Sequence, residues 1–245
     1  MNAGVIALWL FILTPPALAT SNIELMKANI DPKDVLSLQR GAGLFVNYCL
    51  SCHSAAYMRF SRAARDLQIP EDVAKSNLLF VTDKINNTMQ AAMRAQDAEK
   101  WFGVAPPDLS VIARAKGVDW LYTFLNAFYL DPSRPNGVNN RLFEDTAMPH
   151  VLWELQGWQT PVYRTSKDHE GKEEKILDHL QVTIPGKLEE SSYQAGVRDL
   201  VNFLAYVAEP AKMVRERLGA SVLLFLGVFS LLCYALKREY WKDVH

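Results

Sequence analysis

Cys49-Leu50-Ser51-Cys52-His53 reads as Cys-x-x-Cys-His, the pattern at which a c-type haem is attached. Two thiols add to the haem vinyl groups, and the histidine beside the second thiol becomes an iron ligand. The spacing follows from that chemistry. Two intervening residues let both sulfurs reach one porphyrin edge, and the adjacent imidazole then falls under the iron. A structural zinc site needs two further good ligands, and the third cysteine, Cys233, lies in an apolar run near the C-terminus. A thioredoxin-like dithiol follows a strand in a βαβ pattern, and no such pattern precedes Cys49. The motif therefore favours one covalent haem c, with iron carrying the chemistry and the polypeptide positioning it.

Upstream, Asp31-Pro32-Lys33-Asp34 has the form of a helix start: Asp31 as cap, Pro32 in the first turn, Asp34 answering as third residue. Val35, Leu38, Ala42, Phe45 and Cys49 then share one helical face. The haem motif is thus expected at the C-terminal end of an amphipathic helix. Gly41 and Gly43 lower its helix propensity, which close approach of another helix or a simple kink would explain.

Downstream, residues 60–100 are mostly helical in character. Leu78, Leu79, Phe80 and Val81 are expected to be buried, and Met89 and Met93 fall four apart on a helix as core residues. Ala105-Pro106-Pro107-Asp108-Leu109-Ser110 makes a stiff extended segment, with Asp108 capping a short helix to Lys116. Pro107 would wall the haem, and Arg114 or Lys116 would meet a haem propionate. Asp119 is read as the cap of the next helix, whose face carries Trp120, Leu121, Phe124, Leu125 and Phe128 and which stops before Asp131-Pro132.

Thr146-Ala147-Met148-Pro149-His150 supplies the candidate sixth ligand. A thioether ligand needs a methionine on a loop that can lie across the haem face. Pro149 disfavours helical geometry at Met148, and Ala147 leaves room. Met58, Met89, Met93, Met26 and Met213 fit less well by position. His150 stays open as a competitor that would give a bis-histidine haem.

Pro161–Arg164 and Leu180–Ile184 can pair as a hairpin around His169-Glu170-Gly171-Lys172, with His169 and His179 solvated. Ser191 and Gln194 have capping-box spacing, and Val197, Leu200, Val201, Leu204 and Ala208 mark an amphipathic helix that ends at Glu209-Pro210. Leu218–Leu236 is nineteen residues without a charge, long enough to cross a bilayer, with Tyr240 and Trp241 as interfacial anchors. Residues 3–13 form a shorter apolar run, broken by Thr14-Pro15-Pro16 and followed by Ala17-Leu18-Ala19, the form of a signal peptide cleaved after Ala19. The expected organisation is a signal peptide over 1–19, a periplasmic haem domain over 20–212, and an anchor with a short cytoplasmic tail over 213–245. The formal net charge of −1 gives no footprint for nucleic acid.

These pieces together resemble the cytochrome c1 family, the haem-bearing subunits of ubiquinol–cytochrome c reductase (the cytochrome bc1 complex). The resemblance is carried by Arg40-Gly41-Ala42 leading into Asn47–Ser54, by Ala105–Ser110, Ala147-Met148-Pro149 and Val197–Leu204, and by the C-terminal membrane helix. It implies a mainly α fold: a class I cytochrome c-like haem domain with insertions and a small β-hairpin, plus one transmembrane helix. It implies Cys49, Cys52, His53 and Met148 as haem residues, with His53 and Met148 on the iron. The first helix would cross the last soluble helix, giving Gly41 and Gly43 a packing role. Arg114 would contact a propionate; Lys116 stands where a second arginine is common, and a lysine cannot make the same forked contact.

The implied function is electron relay, from a Rieske iron–sulfur protein to cytochrome c, beside cytochrome b in a dimeric complex. No coordination position would stay open for oxygen, so the chain itself would make no bonds. The implied place is a bacterial inner membrane with the haem domain in the periplasm. The alternative is a membrane-anchored monohaem cytochrome c of a terminal oxidase or a nitric oxide reductase, against which the Pro-Pro-Asp-Leu-Ser segment and the C-terminal anchor count.

Overall fold

The computed structural model describes residues 23–167 and 173–243. The signal-peptide reading of residues 1–19 and the turn at His169–Lys172 lie outside the described residues.

The first helix, α1, runs Val35–Leu44. Its cap is Asp34, which accepts from the Ser37 N–H at 3.0 Å. Asp31 instead accepts from Lys33 N–H in the turn ahead, so Pro32 lies outside the helix and the start comes a turn later than the sequence suggests. Leu38, Ala42 and Phe45 are buried as expected. A π-helical turn, Phe45–Cys49, follows directly. Such wide turns concentrate at functional sites, and this one delivers Cys49 and closes on His53, whose N–H donates to the Cys49 carbonyl at 2.8 Å.

The chain then forms β1 (Ala55–Arg59), α2 (Phe60–Asp66), α3 (Glu71–Asn77), β2 (Thr88–Met89), α4 (Ala95–Phe102), α5 (Ile112–Lys116) and α6 (Val118–Asn126). Strands β1 and β2 pair antiparallel, Ala55 opposite Met89. Met89 is thus a fully buried strand residue, and Met93 lies in a bend; the expected helix through them does not form. The Asn86-Asn87-Thr88 cluster turns the chain there, with Asn87 N–H donating to the Lys84 carbonyl. Leu78 is buried and Leu79 and Val81 pack partly buried against the core, whereas Phe80 between them is 57% exposed, because α3 ends at Asn77 and the chain beyond it is irregular. Asp119 does not cap α6. It accepts from Lys27 Nζ at 2.8 Å and the Ala28 N–H at 2.9 Å, tying an N-terminal arm to the helix.

Helix α6 stops at Asn126, and Phe128 begins β3 (Phe128–Leu130), paired antiparallel with β4 (Val138–Asn140). A short α7 (Trp153–Gln156) leads into the long hairpin β5 (Gly157–Lys167) and β6 (Glu173–Pro185), in which Pro161 faces Leu180 and Trp158 faces Ile184. The two expected strands pair and are longer than expected, but in a shifted register: Pro161–Arg164 lie opposite Leu180–Ile176, and Leu180–Ile184 opposite Pro161–Trp158.

Helix α8 spans Glu190–Ala208. Ser191 makes no cap; the first turn is held by a Gln194-to-Glu190 side-chain bond instead. Its buried stripe of Val197, Leu200, Val201, Leu204 and Ala208 matches the 3.6-residue period. Helix α1 crosses α8 at Gly41. A Cβ there would stand 2.7 Å from Phe203 Cβ and collide with the Asp199 backbone, so only glycine permits this approach. Gly43 meets nothing within 4 Å and has no such role. The crossing is further pinned by Arg40, whose Nε and Nη2 donate to the Asp199 carboxylate at 2.5 and 3.1 Å. Buried Tyr193 donates to the Leu125 carbonyl at 2.7 Å and fixes α6 against α8.

Helix α9, Lys212–Tyr240, contains the stretch Val214–Tyr240, long and apolar enough to cross a membrane. Leu223, Leu224, Phe225 and Leu231 are each about 70% exposed. A continuous apolar surface of this kind is unsuited to water and suited to lipid.

Candidate haem-binding site

Cys49, Cys52 and His53 line one cavity of about 350 Å³, and Met148 lines the same cavity. The volume lies within the ordinary range for a small-molecule site. The remaining wall is almost wholly apolar. Pro106, Pro107 and Ile112 come from the segment after α4 and from α5, Trp120 and Phe124 from α6, and Leu200 and Leu204 from α8.

The histidine is oriented by backbone. His53 Nδ1 lies 2.8 Å from the Pro107 carbonyl oxygen, so Nδ1–H donates and the Nε2 lone pair is left for a metal. Pro107 is thus the histidine's anchor as well as a piece of wall. Three more bonds stitch the same two segments together. Leu109 N–H donates to the Ser54 carbonyl at 2.7 Å, Ala56 N–H to Asp108 Oδ2 at 3.0 Å, and Tyr57 N–H to Ser110 Oγ at 3.0 Å. Asp108 also accepts from the Ser110 N–H, so its carboxylate shapes a local turn and braces the strand after the motif.

Burial governs the titrating groups here. It lowers the His53 pKa, opposed by the Pro107 bond and by Asp108 nearby, and so favours the neutral imidazole that ligates metals. Burial, with Cys52 adjacent, pushes the Cys49 thiol up to about 12. A thiolate is costly in this wall, whereas a neutral thioether is at ease there.

The two candidates for the sixth position separate clearly. Met148 is half-buried on the cavity wall in an irregular loop. His150 is 4% exposed and packed away from it, stacked on Phe128 at 5.1 Å and edge-on to Trp158 at 5.9 Å. Burial holds its pKa down to about 4, so it is a neutral core histidine. Of the other methionines, Met58 and Met89 are buried in the core.

The basic residues also separate. Arg114 is exposed on α5 and is not part of the wall. Lys116 is on the wall, with Nζ 5.3 Å from the Trp120 ring centroid, close enough for a cation–π contact. Sequence reasoning missed Tyr48, Phe102, Phe143, Leu200 and Leu204 as lining residues. Leu200 and Leu204 carried a signal, being four apart on the buried stripe of α8; nothing in its neighbourhood marked Phe143. The donor set fits a c-type haem: two thiols and an imidazole in covalent order, and a thioether from a distant loop, around one apolar space.

The sequence profile described as the Cytochrome C1 family matches residues 26–244. Cytochrome c1 of Allochromatium vinosum is 49% identical over 236 residues, 96% of each chain. The ammonia monooxygenase gamma subunit of Nitrosomonas europaea is 47% identical over 241 residues, 97% of each chain. Cytochrome c1 of Blastochloris viridis is 30% identical over 253 residues, 86% of this chain and 82% of that one.

Proposed function

This chain belongs to the cytochrome c1 family, and we propose that it carries single electrons from a Rieske iron–sulfur protein to cytochrome c through one covalently held haem. Membership makes it an electron-transfer, c-type haem subunit of the cytochrome bc1 complex, alongside cytochrome b and the Rieske protein, and anchored in the membrane. We place the haem domain in the periplasm of a bacterium, with the tail after α9 in the cytoplasm.

The group, when bound, supplies reversible one-electron exchange between ferric and ferrous iron. Cys49 and Cys52 would hold it by thioether bonds. His53 presents Nε2, kept in register by the Pro107 carbonyl. Met148 offers a neutral, soft sulfur that favours the ferrous state and raises the potential. Trp120, Phe124, Leu200 and Leu204 exclude water, which acts in the same direction. Lys116, on the wall where Arg114 is not, would be the basic group to meet a propionate. With His53 and Met148 both engaged, no coordination position would stay open. We therefore assign this chain no monooxygenase role, although the Nitrosomonas europaea relative is named for one.

The observation that carries this reading is the convergence of Cys49, Cys52, His53 and Met148 on one apolar cavity. Replacing Met148 with Leu should lower the haem midpoint potential sharply. An unchanged potential would mean that the sixth ligand lies elsewhere. Purification with cytochrome b and a Rieske protein, rather than with oxidase or nitric oxide reductase subunits, separates the bc1 role from its alternative.

A further inference from the structure

The loop that carries Met148 has almost no bonding of its own. Residues 141–148 contain no helix or strand, and a thioether has no charge by which a partner could hold it. Something must nevertheless keep the sulfur in place, because an irregular loop left free gains conformational entropy with every released residue.

The bonds come from side chains of the β3–β4 hairpin. Asn140 is fully buried. Its Oδ1 accepts from the N–H groups of Leu142 and Phe143 at 2.9 and 3.2 Å, and its Nδ2 donates to the Phe124 carbonyl of α6 at 2.8 Å. Asn139 accepts from the Asp145 N–H at 2.9 Å and donates to Asp131 Oδ2 at 3.0 Å. Arg134 pairs with the Asp145 carboxylate at 2.6 Å and donates to its carbonyl at 3.2 Å. Asp145 sits at φ +60°, a backbone region that a residue with a side chain enters infrequently and that these bonds hold. Asn136 Nδ2 lies 3.4 Å from the carbonyl oxygens of both Ala147 and Met148. Five residues between Leu142 and Met148 thus take polar partners from one hairpin, and that hairpin is bonded to the helix that forms another wall of the cavity.

We infer that Asn136, Asn139 and Asn140 are positioning residues: they set where the Met148 sulfur stands and hence how firmly it binds the iron. The inference rests on Met148 being the sixth ligand. A loosened loop would still allow haem attachment through Cys49 and Cys52, since those bonds are made elsewhere. It would weaken the one bond that has no covalent tether.

The test uses the full-length, haem-loaded protein in detergent. Asn140→Asp keeps the acceptor for Leu142 and Phe143 and loses the donation to Phe124. Asn136→Ala removes the contacts nearest Met148 and leaves the buried core intact, so it decides the matter if the Asn140 variant does not fold. Asn202→Ala is the control. Asn202 is equally buried, but it is on α8 and bonded to the Asp31 carbonyl and Ser37. Met148→Leu tests the ligand reading itself. The readouts are the sulfur-to-ferric-iron charge-transfer band, the midpoint potential, carbon monoxide binding by the reduced form, and haem retention on a denaturing gel.

The expected result is a weakened band, a lowered potential and new carbon monoxide binding in the Asn136 and Asn140 variants, with haem retained. The Asn202 variant should keep the native spectrum while melting earlier. If Met148→Leu abolishes the band but the Asn136 and Asn140 variants match the parent, the positioning role is wrong and the ligand stands. Equal spectral damage from Asn202→Ala would also overturn it, since general loosening would then suffice. A band that survives Met148→Leu removes the ligand reading and this inference together.

Discussion

The part of the cavity that carries the Cys-x-x-Cys-His motif and the part that carries Met148 are built by different means. The first rests on a helix crossing, α1 over α8 at Gly41, and on a seam between residues 53–57 and 107–110 in which the His53, Asp108 and Ser110 side chains bond to backbone. The second is an irregular loop held from outside by polar side chains. A helix crossing distributes its energy over many apolar contacts. A loop tied by a few side-chain bonds concentrates it. Damage to the first region should therefore appear as lost haem or lost stability, and damage to the second as a changed ligand on an otherwise intact protein.

The largest expected effect is at the motif. Changing Cys49 or Cys52 to Ala should abolish or cripple covalent attachment, read as loss of haem staining on a denaturing gel. Haem that survives both changes would remove the motif from the site. Next comes the crossing. Gly41→Ala must force α1 and α8 apart and should cost about 2 kcal/mol or more, seen as a lowered thermal midpoint. Gly43→Ala, with open space around it, should be neutral or stabilising by up to about 1 kcal/mol. Similar losses at the two positions would contradict the packing described for Gly41. Smaller again is the seam: Ser110→Ala leaves the Tyr57 N–H without its partner and should cost about 1 kcal/mol, with the haem spectrum unchanged.

The smallest effect is in acid. The Asp119 carboxyl is held below the ordinary range, first by the Lys27 hydrogen bond and then by the Ala28 N–H. The unfolded chain therefore binds the proton more readily. The stabilisation is fully present above the ordinary carboxyl value, about pH 4, and is lost as pH falls through the lower folded value. Asp119→Asn should flatten the fall of the thermal midpoint between about pH 5 and pH 3; an identical slope would mean the arm contributes nothing there.

The same division explains what could be read from sequence. The haem motif, the stripe of α8 and the apolar run of α9 are legible because each obeys a local rule: fixed spacing, helical period, bilayer length. The hairpin at 157–185 was legible as two strands but not in register, and short in extent, since its outer residues are polar on both sides. Met148 was legible as a candidate because of Pro149, yet only packing moves His150 off the cavity and onto Phe128. The asparagines at 136, 139 and 140 carry no signal of their role, because side-chain bonds to backbone leave no periodic trace. Pro107 was visible as a stiff residue, but the use of its carbonyl was not. Arg114 and Lys116 differ by half a helical turn on α5, which decides between wall and solvent and which a linear reading leaves unresolved.

The glycine at position 41 has one more consequence. Leu200 and Leu204 form a floor of the cavity from the helix that Gly41 touches. The depth available to a flat ring is therefore gauged by a missing methyl group on a neighbouring face of the same helix, where Asp199 and Phe203 meet α1.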